Sequence, residues 1–449
     1  MTTTDGVASA ATGPPWLLRI LCFVIPALPV YVVLPGALKG NGAPSRMIAL
    51  VMFGLVVLGF LVARRSGRRR INPGAVILLC YLALWLTIYG VGLLNNDNFG
   101  TASNRTRAMI ATAAHVGVGL YALARVHTSR QRDIVLGWLA SGLVFVCLVG
   151  VLQSVSSLDL RYLFQPPGFV LNTEDLQLSE RMGVTRVRGT SQHAIEFSVL
   201  AAVTIPLTVY LARNAARRAV RLLAAVGCVI AIIALPAAVS RSGIISLLVA
   251  LLVFMLAFKV RPILIAATAA AGAIGVYNAV FPNIAMALWN TIAGSAEDES
   301  VSARLDDYAK VSDLMHERPF FGLGLGGSDP TDFGYLDNEW MQAVVQGGLF
   351  GFTAMAAVMF GAIFGMAAAL RNARSVRERE QAYMLGAMAA GIIASSFTFD
   401  LFAFEQAALI FFIVFALLWS GFTVPVPDPP ASRQRFDRLV SSRSHPARV

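Results

Sequence analysis

Long apolar runs separated by short polar breaks dominate the chain. Runs of spanning length fall at about 16–33, 46–63, 73–94, 107–124, 134–152, 194–212, 222–239, 243–258, 262–281, 339–370, 381–399 and 404–422. A bilayer core is crossed by about 20 apolar residues in a helix, so the pattern predicts twelve membrane helices. The stretch from Leu222 to Phe258 is 37 residues long. It is too long for one span and predicts two, joined by almost no connection. No repeat of fixed period and no low-complexity block is visible. One membrane domain, 1–430, is expected, followed by a basic tail, 431–449, that is expected to be disordered.

The breaks alternate in character. One set is short and basic: "RRSGRRR" (64–70), "RVHTSRQR" (125–132), "RNAARRAVR" (213–221), "KVR" (259–261), "RNARSVRER" (371–379) and the tail. These hold 23 of the 36 Lys and Arg. The other set includes 95–106, 153–193 and 282–338 and carries most of the Asp and Glu. The positive-inside rule puts the basic set in the cytoplasm. Both termini are then cytoplasmic, with a large external loop between spans 9 and 10. The segment "TIAGSAEDESVSARLDDYAKVSDLM" predicts an amphipathic helix on the outer membrane surface.

Composition agrees with the pattern: 57% of residues are hydrophobic, 14% charged, and mean hydropathy is +0.68. The net charge of +11 belongs to the breaks and does not point to nucleic acid. Cys22, Cys80, Cys147 and Cys228 lie in apolar runs, so no disulfide framework is expected. No His/Cys spacing suggests zinc.

Three external segments carry candidate chemistry. In "SRSG", Arg241 ends the seventh span just after Pro236. It reads either as a snorkelling residue or as a fixed cation at an external cavity, where Gly243 would let a ligand approach the backbone. In "RMGVTRVRGTSQHAIEFSVL", Arg186 and Arg188 alternate and share a face of an extended segment, with Arg181 nearby. Arginine forks suit a diphosphate; a salt-bridged loop is the alternative. His193 and Glu196 share a face at the start of the sixth span, as ligands or as a cap. In "YLDNEW", Asp337 is a candidate general base at the bilayer edge, and Asp337 or Asn338 a candidate cap. The glycines of "FGLGLGG" permit a sharp re-entry and do not form a nucleotide fingerprint.

The ordered set "RVRGTSQHAIEFSVLAAVTIPL", "SRSG", "SARLDDYAKVSDLMHERPFFGLGLGG" and "YLDNEWMQAVVQGGLFG" resembles the O-antigen ligase and polymerase superfamily of bacterial membrane glycosyltransferases. The resemblance covers about 180–352. It implies a twelve-span helical fold and transfer of a glycan from an undecaprenyl-diphosphate carrier on the outer face. It implies no metal, no sugar nucleotide and no cofactor. By it, Arg188, Arg241 and Arg186 correspond to diphosphate-binding residues, and Arg304 to a further external arginine. Ligases of the family carry a His before Asn, Ser or Gln, then nine residues, Gly, two residues and Gly. Asn338, Gly348 and Gly351 fit that spacing, and Asp337 stands at the His.

The reading is therefore an all-α polytopic protein of the bacterial inner membrane with an external site. Its expected activity is metal-independent, inverting glycan transfer from an undecaprenyl-diphosphate-linked donor to a glycan acceptor. The substitution at Asp337 leans toward a polysaccharide polymerase; a ligase acting on a different acceptor is the alternative. Asp337, Glu339 or His193 takes the proton, and Arg188 and Arg241 stabilise charge. Arg186, Arg304, Glu196, Asn338, Tyr335 and Trp340 bind substrate, the two aromatics as a sugar groove. A flippase or chain-length regulator is an expected neighbour. A transporter is the competing class, but it would place charges at the bilayer midplane, and the midplane is nearly free of them.

Overall fold

The computed structural model describes residues 13–62, 70–94, 100–172, 177–293, 308, 311–328, 336–422 and 424–425. Arg304, Tyr335, the tail 431–449 and most of the expected surface helix lie outside the described residues.

The protein is an all-α polytopic membrane protein. Its helices are α1 (Trp16–Ala27), α2 (Pro44–Val62), α3 (Pro73–Leu94), α4 (Ala102–Arg125), α5 (Ser129–Ser156), α6 (Ala194–Asn214) and α7 (Arg218–Ala237). They continue as α8 (Arg241–Met255), α9 (Val260–Val280), α10 (Pro282–Ala293), α11 (Glu339–Asn372), α12 (Val376–Ser395) and α13 (Glu405–Trp419). Each of the twelve apolar runs contains one of them; α10 is additional. Among the described residues, eight helices are long and apolar enough to cross a membrane: α2 to α7, α9 and α11. Three more, α1, α8 and α13, are apolar but shorter. The first run stops early as a helix: Pro29 follows Ala27, and the chain is already extended at Val32–Val33.

Helix α13 is the pillar of the bundle. Every residue from Glu405 to Trp419 is buried, as expected of a helix that is apolar all round. It packs against α4, α11 and α12. Around it α12 packs on α8, α6 on α7 and α8, α1 on α5, and α2 on α4. The outer helices turn Leu55, Leu58, Phe60 and Leu61 of α2, and Leu264, Ile265 and Ile274 of α9, outward. Such a surface is stable facing lipid rather than water.

The connections gather at two ends, as the charge pattern predicts. At the basic end Arg213 pairs with Glu380 at 2.8 Å, Tyr210 donates to Asp133 at 2.7 Å, and Asn72 donates to the Trp419 carbonyl at 2.9 Å. At the other end two short antiparallel pairs form, Val32–Val33 with Val170–Leu171 and Glu180–Arg181 with Val184–Thr185.

The glycines of "FGLGLGG" have a specific cause. Gly322, Gly324 and Gly326 all have positive φ, at 55°, 85° and 72°, which a side chain resists. A Cβ on Gly324 would lie 2.6 Å from the Gly92 Cα of α3. The buried Arg105 of α4 holds this loop, donating to the Leu323 carbonyl at 2.8 Å. Gly348 breaks α11 with φ 55° and ψ −142°. The loop enters that break, where Leu349 N–H donates to the Pro319 carbonyl and Leu323 N–H to the Val345 carbonyl, each at 2.8 Å. A Cβ on Gly351 would sit 2.2 Å from the Ala343 carbonyl. The Gly–x–x–Gly spacing thus serves a broken helix that carries residues 337–347 into the site.

Candidate functional site

Two charged groups meet at the end opposite the basic loops. The first is built on the segment between α5 and α6. Gln153, fully buried near the end of α5, accepts from the N–H groups of Arg188 and Gly189 at 3.1 and 2.7 Å and donates to the Gly189 carbonyl at 2.9 Å. This fixes the extended "RVRG" strand against the bundle. Arg186 is tied to the α7–α8 turn: its Nε donates to the Ala238 carbonyl at 3.0 Å, and Val187 N–H donates to the Ala237 carbonyl at 3.2 Å.

Arg161 and Arg188 share one carboxylate. Asp159 is 2.7 Å from Arg161 and 2.9 Å from Arg188. Burial alone would raise the Asp159 pKa. The hydrogen bonds and charge of Arg161, joined by the charge of Arg188, instead hold it below the usual carboxylate range. The guanidinium of Arg161 also lies 5.1 Å over the Tyr31 ring. Arg188 additionally donates to the Gln177 carbonyl. Two guanidinium groups, of Arg161 and Arg188, therefore share the Asp159 carboxylate. Arg186 Nη2 and Arg188 Nε are buried and have no hydrogen-bond partner. Leaving a buried charged donor unmatched is costly, so an anionic ligand there would relieve the strain. Burial, with the charge of Arg181, lowers the Arg186 pKa to about 10, still far above neutrality.

His193 caps α6. Its Nδ1 accepts from Ile195 N–H at 3.2 Å, so its Nε2 carries the hydrogen when the ring is neutral. Burial, followed by the charges of Arg186 and Arg188, lowers its pKa to about 4. His193 is thus a neutral donor at pH 7 rather than a base. Glu196 turns the other way: Gln192 N–H donates to one oxygen at 2.9 Å and Ala407 N–H of α13 to the other at 3.1 Å. Its carboxylate caps α6 and pins it to α13, the capping alternative that the sequence left open.

The second group centres on the loop between α12 and α13. Asn338 is the cap of α11, accepting from Trp340 and Met341 N–H at 2.9 and 3.4 Å. The capping role thus falls to Asn338 rather than Asp337. Glu339 is buried; it accepts from Phe402 N–H at 2.8 Å, which fixes the loop to α11. Trp340 donates from Nε1 to Ser396 Oγ at 3.0 Å and stacks on Phe397 at 5.5 Å between centroids. Asp400 lies in this loop within electrostatic reach of Asp337. Burial, with the Asp337 charge adding to it, raises the Asp400 pKa to about 7. The loop connects to the arginine cluster through aromatic rings: Phe404 lies 6.2 Å from His193 and 5.2 Å from Phe399, the neighbour of Asp400.

Arg241 opens α8 after Val239, whose φ is 46°. It is half-buried at the same α7–α8 turn that receives Arg186. The expected role of Gly243 is corrected: a Cβ there would meet Ser198 of α6 at 2.5 Å. Gly243 therefore allows two helices, not a ligand, to approach.

The sequence reading missed Asp159, Arg161, Gln153 and Asp400. The first three lie in and just after α5, away from any quoted motif. Asp400 had a usable signal: it is the one acid in the short outer turn "FTFDLFAF", a position analogous to that of Arg241.

Residues 226–356 match the family described as O-antigen ligase. This segment, which runs from α7 to the first part of α11, supports the resemblance to the O-antigen ligase and polymerase superfamily. The family implies glycosyltransferase-type chemistry on lipid-linked glycans in a membrane setting. No curated protein matches the chain. The arginine cluster lies outside the matched segment; Arg241, Asp337, Asn338, Glu339 and Trp340 lie within it.

Proposed function

We infer that the protein transfers a glycan from an undecaprenyl-diphosphate-linked donor to a sugar hydroxyl on the extracytoplasmic face of the inner membrane, acting as a polysaccharide polymerase. The observation that carries the reading is the pair of buried, unmatched guanidinium nitrogens on Arg186 and Arg188, across the Phe404–Phe399 bridge from the Asp337–Asp400 pair. In this reading the acceptor oxygen attacks the anomeric carbon. Asp400, with Asp337 beside it, takes the hydroxyl proton; a carboxylate whose pKa is near neutrality suits that task. The bond from the anomeric carbon to the diphosphate oxygen breaks, and the electron pair leaves on the diphosphate. Arg186, Arg188 and Arg241 meet that charge in a preorganised site. Displacement from the opposite face inverts the anomeric centre. His193 contributes a neutral donor and Trp340 a sugar-stacking face. Glu196, Asn338 and Glu339 build the site rather than touch substrate.

The test is turnover by the purified full chain with a lipid-diphosphate-linked oligosaccharide, in EDTA, with the new linkage read by NMR. Long inverted products support polymerase action. A single transfer to a different acceptor would mark a ligase. No transfer without an added divalent ion would replace the arginine mechanism with a metal-assisted one.

A further inference from the structure

A polar cavity of about 370 Å³ opens at the basic end of the bundle, at the opposite ends of α11, α12 and α13 from the acidic groups. It lies where α5 and α12 begin and α11 and α13 end. Its inner wall is apolar, made by Leu385, Leu417 and Leu418. Its polar side carries Arg132, with Arg374 and His127 near the opening. Arg132 is set rigidly: Nε donates to Gln381 Oε1 at 2.6 Å, and Nη1 to the carbonyl and Oγ of Ser420 at 3.2 and 3.1 Å. Glu378 is the one acid lining the cavity; it accepts from the Arg374 N–H at 2.7 Å. The lining is therefore net basic on one side and aliphatic on the other, at the end of the bundle where the helices meet the basic connections.

That combination selects an amphiphile with an anionic head. Basic pockets between membrane helices at the membrane surface bind the phosphate heads of anionic lipids. The volume falls in the range of small-ligand sites, about 300–1,000 Å³. It has room for a phosphoglycerol head and the first acyl carbons. We propose that this cavity binds the head of an anionic phospholipid, with Arg132 and Arg374 on the phosphate and Leu385, Leu417 and Leu418 against the chain. The occupant would join α5, α11, α12 and α13, of which α11, α12 and α13 hold the Asp337–Asp400 loop at their other ends. The proposal stands independently of the glycan-transfer reading.

The experiment is native mass spectrometry of the full chain released from micelles doped with phosphatidylglycerol or phosphatidylcholine. Retention of about one phosphatidylglycerol per chain and no phosphatidylcholine is expected. Arg374→Glu, at an exposed position, should weaken retention about 25-fold, since each unit of basic charge near a membrane surface contributes roughly fivefold. Arg218→Glu, on the same end but outside the cavity, should change it about fivefold or less. Equal retention of both lipids, or equal losses in the two variants, would overturn the site in favour of diffuse attraction. Competition by millimolar inorganic phosphate without lipid dependence would overturn it in favour of a free-anion site. Melting temperature is recorded for each variant, and Arg374→Lys, which keeps the charge and fold, must retain phosphatidylglycerol.

Discussion

The two ends of the bundle treat polar side chains in opposite ways. At the basic end, buried polar groups satisfy one another: Gln381 joins Asp133, Arg132 and the Ser129 carbonyl, Tyr210 donates to Asp133, and Arg213 meets Glu380. At the other end, Arg186 and Arg188 keep buried nitrogens unmatched, and Asp400 is buried within electrostatic reach of Asp337. A network built only for stability pairs its donors. The difference is what the glycan-transfer reading rests on, and it can be attacked by experiment from both sides.

A large effect is expected from Arg186→Lys. The charge survives but the planar fork does not, so turnover should fall roughly 100- to 1,000-fold with little change in melting temperature. Full activity would mean that Arg186 only staples the strand to Ala238. Arg241→Lys gives the same readout for the α7–α8 turn: a snorkelling anchor would tolerate it.

Asp400→Asn should cost roughly 100- to 10,000-fold in rate while improving stability at high pH. The folded-state pKa of Asp400, about 7, lies above the value near 4 of an unfolded Asp. The folded chain therefore binds that proton more tightly. The advantage is fully present below about pH 4 and is lost as pH rises through about 7. The variant should melt higher than the parent at pH 8, with the gap closing toward pH 4. In Asp337→Asn, the loss of a like charge should lower the Asp400 pKa and move the acidic limb of the rate profile to lower pH. An unmoved limb would separate the two aspartates.

Gly326→Ala is expected to destabilise by about 1–3 kcal/mol through its positive φ, with more from the Arg105 backbone, 2.8 Å from the added Cβ. Thermal unfolding in detergent measures it. The smallest effect falls at the basic end. Arg213→Ala removes a half-exposed partner of Glu380, and such pairs contribute about 1 kcal/mol or less. Its turnover should equal that of the parent. A large rate loss there would erase the distinction between the two ends.

Much of this molecule was legible in one dimension. A membrane helix needs only a local apolar run of sufficient length, so the twelve runs each contain a helix. Charge sorting among the connections is equally local, and it separated the two ends. The candidate site was legible where an unusual residue stood in an apolar setting, as with Arg186, Arg188, Arg241 and Asp337. What the residue type could not reveal was its partner. Whether Glu196 binds substrate or caps a helix depended on Ala407, 211 positions away. Which arginine nitrogens remain open depended on Asp159 and Ala238, and the raised pKa of Asp400 on burial beside Asp337. Gly243 and Gly324 read alike in sequence, as freedom of the backbone; tertiary contact made the first a helix-packing notch and the second a seat for α3 and Arg105. The sequence by itself determined which segments form apolar helices, because solvation acts on each run separately. The tertiary structure decided which charged groups are satisfied and which are left for a ligand, because that depends on neighbours brought together from distant parts of the chain.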